Sequence, residues 1–425
     1  MGMVLRIAGI LLGASLMAAF FVLVWALSPT TGARVWHDEI DVYRYRALAT
    51  LATPRPRQSL LADLAIIDPA GLLGGNLRWQ DAGVAFRDTV DGESIAFNIP
   101  LGPPPQRPRE GGGQKPLDGL RIVVDPGHHG GAWSRVERRY FTSPGTDGVV
   151  REGDLNYAVA RLLAEKLERH GASVTLTREA PPRSPFPAGT HVAYDEADEA
   201  ALLLAQKMAQ GYHLFWRNLY PARVAYWRLL RVRAAFVQEF PFALYGRFDL
   251  RQRSRDAARL RPHLTLSIHH NIAKNPRLNG IVVFVPGNFM FGELRLPSSR
   301  FYAVRRLLEG RLDDTIATAR AIGWAMQNAL QLPPLPYVRA SNPGLDKKLA
   351  VDPEAGVFAR NLALLRRTPG PVLLLEGPCM NHPAEFARYQ QQEVAVDGVL
   401  YSRRVEAYAE GVFRGVVASA DSLRR

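Results

Sequence analysis

The chain has 425 residues, of which 47% are hydrophobic and 22% are charged, a composition ordinary for a globular protein. Its length exceeds that of a typical single domain, so we expect one large domain with additional segments. The formal net charge of +13 favours a polyanionic partner, but no nucleic-acid-binding motif accompanies it, and we expect no nucleic acid partner. Because Cys379 is the only cysteine, an intramolecular disulfide is excluded.

The N-terminal segment is apolar: residues 7–27 are long enough to span a bilayer, and no charge lies between Arg6 and Arg34. A signal peptide usually has a shorter apolar core followed by small residues at its cleavage site. We expect residues 1–30 to be a membrane anchor or a signal peptide and favour the anchor; a buried core helix is the remaining alternative. Anchor and signal peptide both place the rest of the chain outside the cytoplasm, membrane-anchored or secreted.

Residues 34–102 show the alternating pattern of short strands. Residues 60–67 are ambiguous between helix and strand. We expect a small N-terminal domain or an extension of the main fold. It is followed by a linker at residues 103–117, whose Pro, Gly, Gln and Arg cannot build a core. The predicted strands of this region are residues 76–80, 82–87 and 94–100.

Residues 118–420 alternate between apolar strand patterns and amphipathic helix patterns. Such alternation predicts an α/β domain with a largely parallel sheet that is covered by helices on both faces. One helix is predicted over about residues 154–170, with Asp154 as its N-cap and Gly171 as its stop signal. The other predicted elements are strands at residues 120–124, 173–177, 264–268, 281–285 and 372–375 and helices at about residues 252–260, 313–330 and 402–417.

Four polar side chains lie at predicted strand or helix ends, and open α/β sheets bind ligands at such ends. His128 follows an apolar run through Asp125-Pro-Gly, and Glu152 directly precedes the predicted helix. His269 and Glu376 end two further apolar runs. Two His and one carboxylate with an open fourth position make the ligand set of a hydrolytic zinc site, and a further carboxylate beside it can act as general base and acid.

Each of these four residues also has a structural interpretation. His128 could hydrogen-bond within a tight turn, and His269 could be a core histidine at a strand end. Glu152 could be a helix-start carboxylate favoured by the helix dipole, a task that Asp154 already fills. Glu376 could pair with a buried Arg, but a carboxylate that ends an apolar strand is costly unless it is paired or functional.

Taken in chain order, these segments resemble the zinc-dependent N-acetylmuramoyl-L-alanine amidases, which cut peptidoglycan, over about residues 118–418. The chain departs from the family pattern at His129, at His270, in the loop after Gly131 and at Gly377-Pro-Cys379, and these changes concern substrate fit more than metal binding. The motifs that carry the resemblance are Asp125-Pro-Gly-His128, Glu152 before Asp154-Leu-Asn156, Leu250-Arg-Gln-Arg253, Ser267-Ile-His-His-Asn271, the strand that ends at Glu376, and Asn381-His-Pro383.

The resemblance implies that His128, Glu152 and His269 bind Zn2+ and that Glu376 is the catalytic carboxylate. It implies hydrolysis of the amide between N-acetylmuramic acid and L-alanine, with peptidoglycan as the substrate. The enzyme would act on the periplasmic side of the cell envelope and contact the inner membrane through its N-terminal segment. A protein activator is left open.

Neighbouring residues have supporting roles in this interpretation. Because adjacent strand residues face opposite sides, the family register selects His269 and not His270 as the ligand. Asp125 is expected to orient a ligand His or to brace its turn. Asn271 and Asn381 are expected to hold loops.

Two segments interrupt the family pattern, at about residues 180–249 and 286–312. The larger one predicts a helical insertion that interleaves aromatic residues with Arg. A lid, a glycan-binding wall or a membrane-surface contact would explain it functionally; we favour a helical hairpin whose aromatics pack on the sheet. The smaller segment, which includes Phe289-Met-Phe291, could flank the cleft.

Two further functional hypotheses are retained. One is a non-catalytic peptidoglycan-binding or regulatory protein on the amidase fold, which the unusual first loop and the large insertion motivate. The other is a zinc hydrolase that acts on a different envelope substrate.

Overall fold

The computed structural model describes residues 40–103, 114–128, 130–131, 134, 139–143, 147–178, 250–289, 294, 297–336 and 349–424. The segment predicted as an anchor or signal peptide and the predicted insertion at residues 180–249 lie outside these ranges. His129 and residues 104–113 of the predicted linker also lie outside them. Within the described ranges, no helix has the length and apolar character needed to cross a bilayer.

The N-terminal region contains α1 (Val42–Ala47), α2 (Arg57–Ile67), β1 (Leu77–Trp79), β2 (Gly83–Val90) and β3 (Glu93–Pro100), with short 3₁₀ helices at Leu48–Leu51 and Leu72–Gly75. The three strands form an antiparallel sheet in sequence order, so the predicted strands are confirmed. The ambiguous residues 60–67 are helical.

A seven-stranded sheet forms the centre of the rest of the chain. The strands after β3 are β4 (Arg121–Pro126), β5 (Tyr140–Thr142), β6 (Val149–Arg151), β7 (Ser173–Leu176), β8 (Leu264–Asn271), β9 (Val282–Pro286), β10 (Leu349–Asp352), β11 (Val357–Arg360), β12 (Val372–Cys379), β13 (Val394–Val396) and β14 (Val399–Tyr401). The order in the central sheet is β10–β11–β9–β12–β8–β4–β7, and β5–β6 and β13–β14 are antiparallel pairs.

The central sheet is largely parallel, as predicted. The adjacent strands β12, β8, β4 and β7 all run in the same direction. β9 runs antiparallel to β12, and β11 runs parallel to β9. The carboxyl ends of β12, β8 and β4 therefore meet at one edge of the sheet.

Helices cover both faces of this sheet, which confirms the predicted architecture. The helices after α2 are α3 (Glu152–Arg169), α4 (Leu250–Arg259), α5 (Pro297–Glu309), α6 (Leu312–Leu330), α7 (Ala363–Arg367), α8 (Pro383–Tyr389), α9 (Arg403–Ala418) and α10 (Ala420–Leu423). α3, α6 and α9 pack on one face, and α7 packs on the other face beside α4. Strand alternation shows this arrangement: Val283 and Leu375 belong to the larger core cluster, whereas Phe284 and Leu374 belong to the smaller one.

The N-terminal region packs against α5 through a polar and aromatic contact. The Tyr45 ring meets the Phe301 ring edge-on, with centroids 5.4 Å apart. Asp88 on β2 accepts hydrogen bonds from the Arg300 guanidinium at 2.8 and 2.9 Å and from the Tyr45 hydroxyl at 2.8 Å. The apolar side chains of both regions belong to one core cluster. These contacts join the N-terminal region to the rest of the fold.

A second polar contact ties the same two regions together. Arg55 donates to the carboxylate of Asp63 at 2.7 Å and to the carbonyl of Leu307, in α5, at 2.8 Å. α5 occupies about half of the segment that was predicted as the smaller insertion, at residues 286–312. Its described contacts are with α2, the first 3₁₀ helix, α6 and α7, so this segment supports the N-terminal region.

Replacing Arg300 with Gln should lower the free energy of unfolding by about 3 kcal/mol, because the buried Asp88 carboxylate loses its charge partner. The matched control is Arg46→Gln in α1 of the N-terminal region. It removes an ion pair with Glu93 whose side chains are 51% and 53% exposed, so it should cost less than about 1 kcal/mol. Urea denaturation of both variants measures the difference, and equal losses would contradict the coupling of the two regions.

Candidate metal centre

The ends of β4, β8 and β12 place the predicted site residues at one edge of the sheet. In the parallel pair β8–β12, His269 lies directly beside Glu376, so their side chains leave the same face. In the parallel pair β4–β8, Asp125 lies beside Ser267. Because of this register, the segment that follows β4 leaves the sheet near His269. His128 lies in that segment, two residues beyond Pro126.

His128, Glu152 and His269 are brought together as the sequence predicted. One ligand atom from each lies within 4.8 Å of the others, the one such group of His, Cys, Asp or Glu side chains found in the described part of the chain. His269 Nδ1 lies 3.0 Å and His128 Nε2 lies 3.6 Å from Glu152 Oε1. Two ligand atoms on a tetrahedral zinc are roughly 3.3 Å apart, so these separations suit a single ion.

The environment of Glu152 fits a bound cation. Its side chain is 2% exposed, and its Oε2 atom is buried without a hydrogen-bond donor among the described residues. A buried carboxylate oxygen without a donor is costly, and a metal ion would remove that cost. The His269 side chain is 14% exposed, so the cluster is open to solvent on that side.

The backbone around His128 is shaped to admit the second histidine. Gly127 donates its N–H to the Ile268 carbonyl at 2.8 Å, and a Cβ atom at Gly127 would collide with the imidazole of His269. His128 itself has a left-handed backbone with φ of 55°, a conformation that a non-glycine residue adopts only when its surroundings hold it there. Arg178 donates to the His128 carbonyl.

Glu152 is held by a hairpin that runs straight into a helix. The β5–β6 pair ends at Arg151, and α3 begins at Glu152, whose N–H donates to the Arg139 carbonyl at 2.9 Å. The predicted N-cap at Asp154 is therefore wrong, because the hairpin starts the helix two residues earlier. Asp154 instead accepts a hydrogen bond from the Gly131 N–H at 2.8 Å and braces the loop after His128. The predicted stop at Gly171, with φ of 101°, is confirmed.

The two carboxyl groups of the site have opposite electrostatic surroundings. Burial raises the pKa of Glu152, but the charge of His128, the hydrogen bond from His269 and the charge of Arg139 outweigh it and lower the pKa to about 2. Burial raises the pKa of Glu376, and the negative charge of Glu152 raises it further against the opposing effect of His269. Glu152 thus stays ionised, as a metal-binding carboxylate would need to, while the pKa of Glu376 is shifted toward the range that suits proton transfer.

Asp125 braces the turn that carries His128, which is one of the two roles expected for it. It accepts hydrogen bonds from Thr177 at 2.6 Å, from Ser267 at 2.7 Å and from Arg253 at 2.7 and 2.8 Å. Burial raises the pKa of Asp125, but the Arg253 charge and these hydrogen bonds lower it overall. This buried carboxylate therefore ties β4 to β8 and α4 and braces the turn that carries His128.

His270 points away from the metal cluster, as strand alternation predicted. Its Nδ1 lies 2.7 Å from Asn156 Oδ1, and Asn156 donates its amide to the Gly127 carbonyl at 2.9 Å. Its ring packs edge-on against Tyr389 and Tyr408. No role was predicted for Asn156, although it belongs to the motif with Glu152. The structure shows that it links the His128 turn to β8.

Asn381 holds a loop, as expected. Its side chain accepts from the Ala273 N–H at 3.0 Å and donates to the Ala273 carbonyl at 2.7 Å. These two bonds tie the segment after β12 to the segment after β8, next to the edge that carries His269 and Glu376.

Residues 238–398 match the family model described as N-acetylmuramoyl-L-alanine amidase. The predicted resemblance is confirmed. The matched range contains His269 and Glu376, while His128 and Glu152 lie before it. No protein with a curated description matches the chain.

Several solved amidase structures are similar to this chain at low sequence identity. AmiC2 of Nostoc punctiforme is 18% identical, with 70% of this chain and 96% of that chain covered and a TM-score of 0.35. Ami1 from Mycobacterium smegmatis is 15% identical, with 72% and 98% covered and a TM-score of 0.38. The CwlD amidase from Clostridioides difficile, solved in complex with the GerS lipoprotein, is 15% identical, with 71% and 98% covered and a TM-score of 0.36.

Replacing Gly127 with Ala should weaken zinc binding at least about tenfold, because the new methyl group displaces the His269 imidazole. The matched control is Gly75→Ala, where a Cβ atom meets nothing within 4 Å. Equilibrium dialysis followed by elemental analysis measures the affinity, and thermal unfolding of the metal-free proteins checks that both variants fold. Unchanged affinity in Gly127→Ala would argue against His269 as a ligand.

Burial lowers the pKa of His270 from 6.5 to about 3. Below about pH 6.5, the unfolded chain therefore binds a proton at His270 that the folded chain does not bind. The free energy of unfolding should fall as the pH drops from about 6.5 to about 5. His270→Gln should reduce this slope by at most about 1.4 kcal/mol per pH unit. Urea denaturation of the metal-free proteins across this range gives both slopes, and identical slopes would show that His270 is not buried in its neutral form.

Proposed function

We propose that this protein is a zinc-dependent N-acetylmuramoyl-L-alanine amidase that hydrolyses the amide between N-acetylmuramic acid and L-alanine in peptidoglycan. The observation that carries the proposal is the cluster of His128, Glu152 and His269 with Glu376 directly beside it on the neighbouring strand. The family match over residues 238–398 supplies the substrate class.

In this proposal His128, Glu152 and His269 hold the zinc ion. A bound zinc ion lowers the pKa of water toward neutrality and polarises a carbonyl group, which is the chemistry that amide hydrolysis requires. Glu152 contributes the negative charge of the ligand set, and its low pKa keeps it ionised.

Glu376 is the proposed general base and acid. It takes a proton from the attacking water and delivers it to the nitrogen of the leaving L-alanine amine. Its position favours this role because it is partly exposed, whereas the strand residues on either side of it are buried. Among the described residues, no buried Arg is in direct contact with Glu376. The charges that act on its pKa come from His269, Glu152 and Arg139 beside the candidate site and from Arg360.

The proposed substrate also fits the charge and the N-terminal sequence of the chain. A net charge of +13 suits a cell wall that carries anionic polymers. The apolar segment at residues 7–27 would carry the enzyme to the periplasmic side of the inner membrane, as an anchor or as a cleaved signal. The complex of CwlD with a lipoprotein shows one way in which such an amidase is partnered; we propose no specific activator for this chain.

The proposal predicts zinc-dependent release of stem peptides from purified peptidoglycan by the full-length protein in detergent. Each released peptide should carry a new L-alanine amino terminus, and a chelator should abolish release until zinc is restored. Release of peptides with a different amino terminus would indicate a zinc hydrolase of another bond. Zinc binding without any release would favour the non-catalytic peptidoglycan-binding protein.

Replacing Glu376 with Gln should lower kcat about 10²- to 10⁴-fold, because the proton acceptor is lost while the ligand set is intact. Zinc content should equal that of the wild type. The matched control is Glu354→Gln, an exposed carboxylate after β10, which should leave kcat unchanged. Full activity in Glu376→Gln would exclude it as the base.

A further inference from the structure

Arg139 is a cation beside the metal cluster that neither the motifs nor the proposed function uses. Its Nε atom lies 3.9 Å from Oε2 of Glu152, whereas the two histidines approach Oε1 of the same carboxylate. The guanidinium charge lowers the pKa of both Glu152 and Glu376. Arg139 therefore lies within electrostatic reach of both carboxyl groups of the site.

The backbone of Arg139 is fixed relative to the metal ligand. Its carbonyl accepts the N–H of Glu152 at 2.9 Å, and its own N–H donates to the carbonyl of Ser134 at 2.7 Å. The next residue, Tyr140, pairs with Arg151 in the β5–β6 hairpin. Because these bonds join Arg139 to the residue that begins α3, any shift of Arg139 would also move Glu152.

The guanidinium of Arg139 is partly exposed and retains hydrogen-bonding capacity among the described residues. The side chain is 36% exposed, and no hydrogen bond to its guanidinium is found among the described residues. Arg carries five N–H donors, so most of them are available to a ligand. Arg253 is the contrasting case: its side chain is 5% exposed and is committed to Asp125.

We propose that Arg139 is a substrate-binding residue that donates hydrogen bonds to the oxygen of the scissile carbonyl and stabilises the negative charge that develops there. This inference rests on the proposed amidase function and names a donor for its transition state. In the reaction, the oxygen of water forms a bond to the carbonyl carbon, and the carbon–nitrogen bond breaks. The proton that Glu376 takes from water goes to the leaving nitrogen, so no further reactant is needed.

A fixed cation is suited to this task because it is oriented before the charge appears. Donors that are held at the position of a developing oxyanion stabilise the transition state more than the ground state. Loss of one such donor lowers kcat on the order of 10²- to 10³-fold and changes KM little. A residue that only neutralised Glu152 would act on zinc affinity instead.

The test compares Arg139→Gln, Arg139→Lys and a matched control, Arg161→Gln, in the full-length protein. Arg161 on α3 has a side chain that is 30% exposed and lies 3.2 Å from Asp397, so it resembles Arg139 in exposure and pairs with an acidic group outside the candidate site. For each variant, kcat and KM are measured on purified peptidoglycan fragments at saturating zinc. Zinc affinity is measured separately by equilibrium dialysis.

We expect Arg139→Gln to lower kcat roughly 100-fold with KM and zinc affinity within about twofold of the wild type. Arg139→Lys should recover part of the loss, because it keeps the charge without the planar fork. Arg161→Gln should match the wild type in all three quantities.

Two results would overturn the inference. One is an unchanged kcat in Arg139→Gln while the wild type is active. The other is a loss of zinc affinity in Arg139→Gln with kcat fully restored at saturating zinc, which would make Arg139 a support for Glu152 alone. An inactive wild type that binds zinc would count against the proposed function itself, and the two failures are thereby distinguished.

Discussion

The site depends on one buried carboxylate. Glu152 is almost completely removed from solvent, and an ionised group in such a position is stable only if its surroundings compensate the charge. The compensation comes from three parts of the chain: His128 after β4, His269 at the end of β8 and Arg139 before β5. The surrounding structure brings these three groups close to the two oxygen atoms of the Glu152 carboxylate. A bound cation would complete that arrangement, because Oε2 of Glu152 has no hydrogen-bond donor in the described part of the chain.

The sheet supplies the rigidity that this arrangement requires. His269 and Glu376 are register partners on adjacent parallel strands, so their separation is fixed by backbone hydrogen bonds. The buried ion pair of Asp125 and Arg253 joins β4 to α4 at the same edge of the sheet. On the other face, Asn156 links the turn before His128 to His270. Polar bonds on both faces of β8 thus hold His128 and His269 against the helix that carries Glu152.

The two glutamates differ in protonation behaviour because they differ in neighbours. Glu152 contacts two imidazoles and has a depressed pKa, whereas Glu376 meets the negative charge of Glu152 and has a raised one. Carboxyl groups whose pKa values are pushed apart in this way are typical of pairs with separate tasks, one permanently charged and one exchanging protons. The assignment of Glu152 as ligand and Glu376 as base follows this division.

The amino-acid sequence determined the site candidates and the architecture, because both depend on local patterns. Apolar runs that stop at His128, His269 and Glu376 predicted strand ends, and their alternation with helices predicted the sheet that gathers those ends. Tertiary structure decided the rest. The start of α3 at Glu152 depends on a hairpin that pairs Arg151 with Tyr140, and local capping preferences at Asp154 carry no information about that pairing. The packing of the N-terminal region on α5 joins Asp88 to Arg300, and the approach of Arg139 to Glu152 follows from the hairpin. A sequence pattern indicates which residues are buried. The tertiary structure decides which buried or half-buried charged side chains contact one another, because it brings distant parts of the chain together.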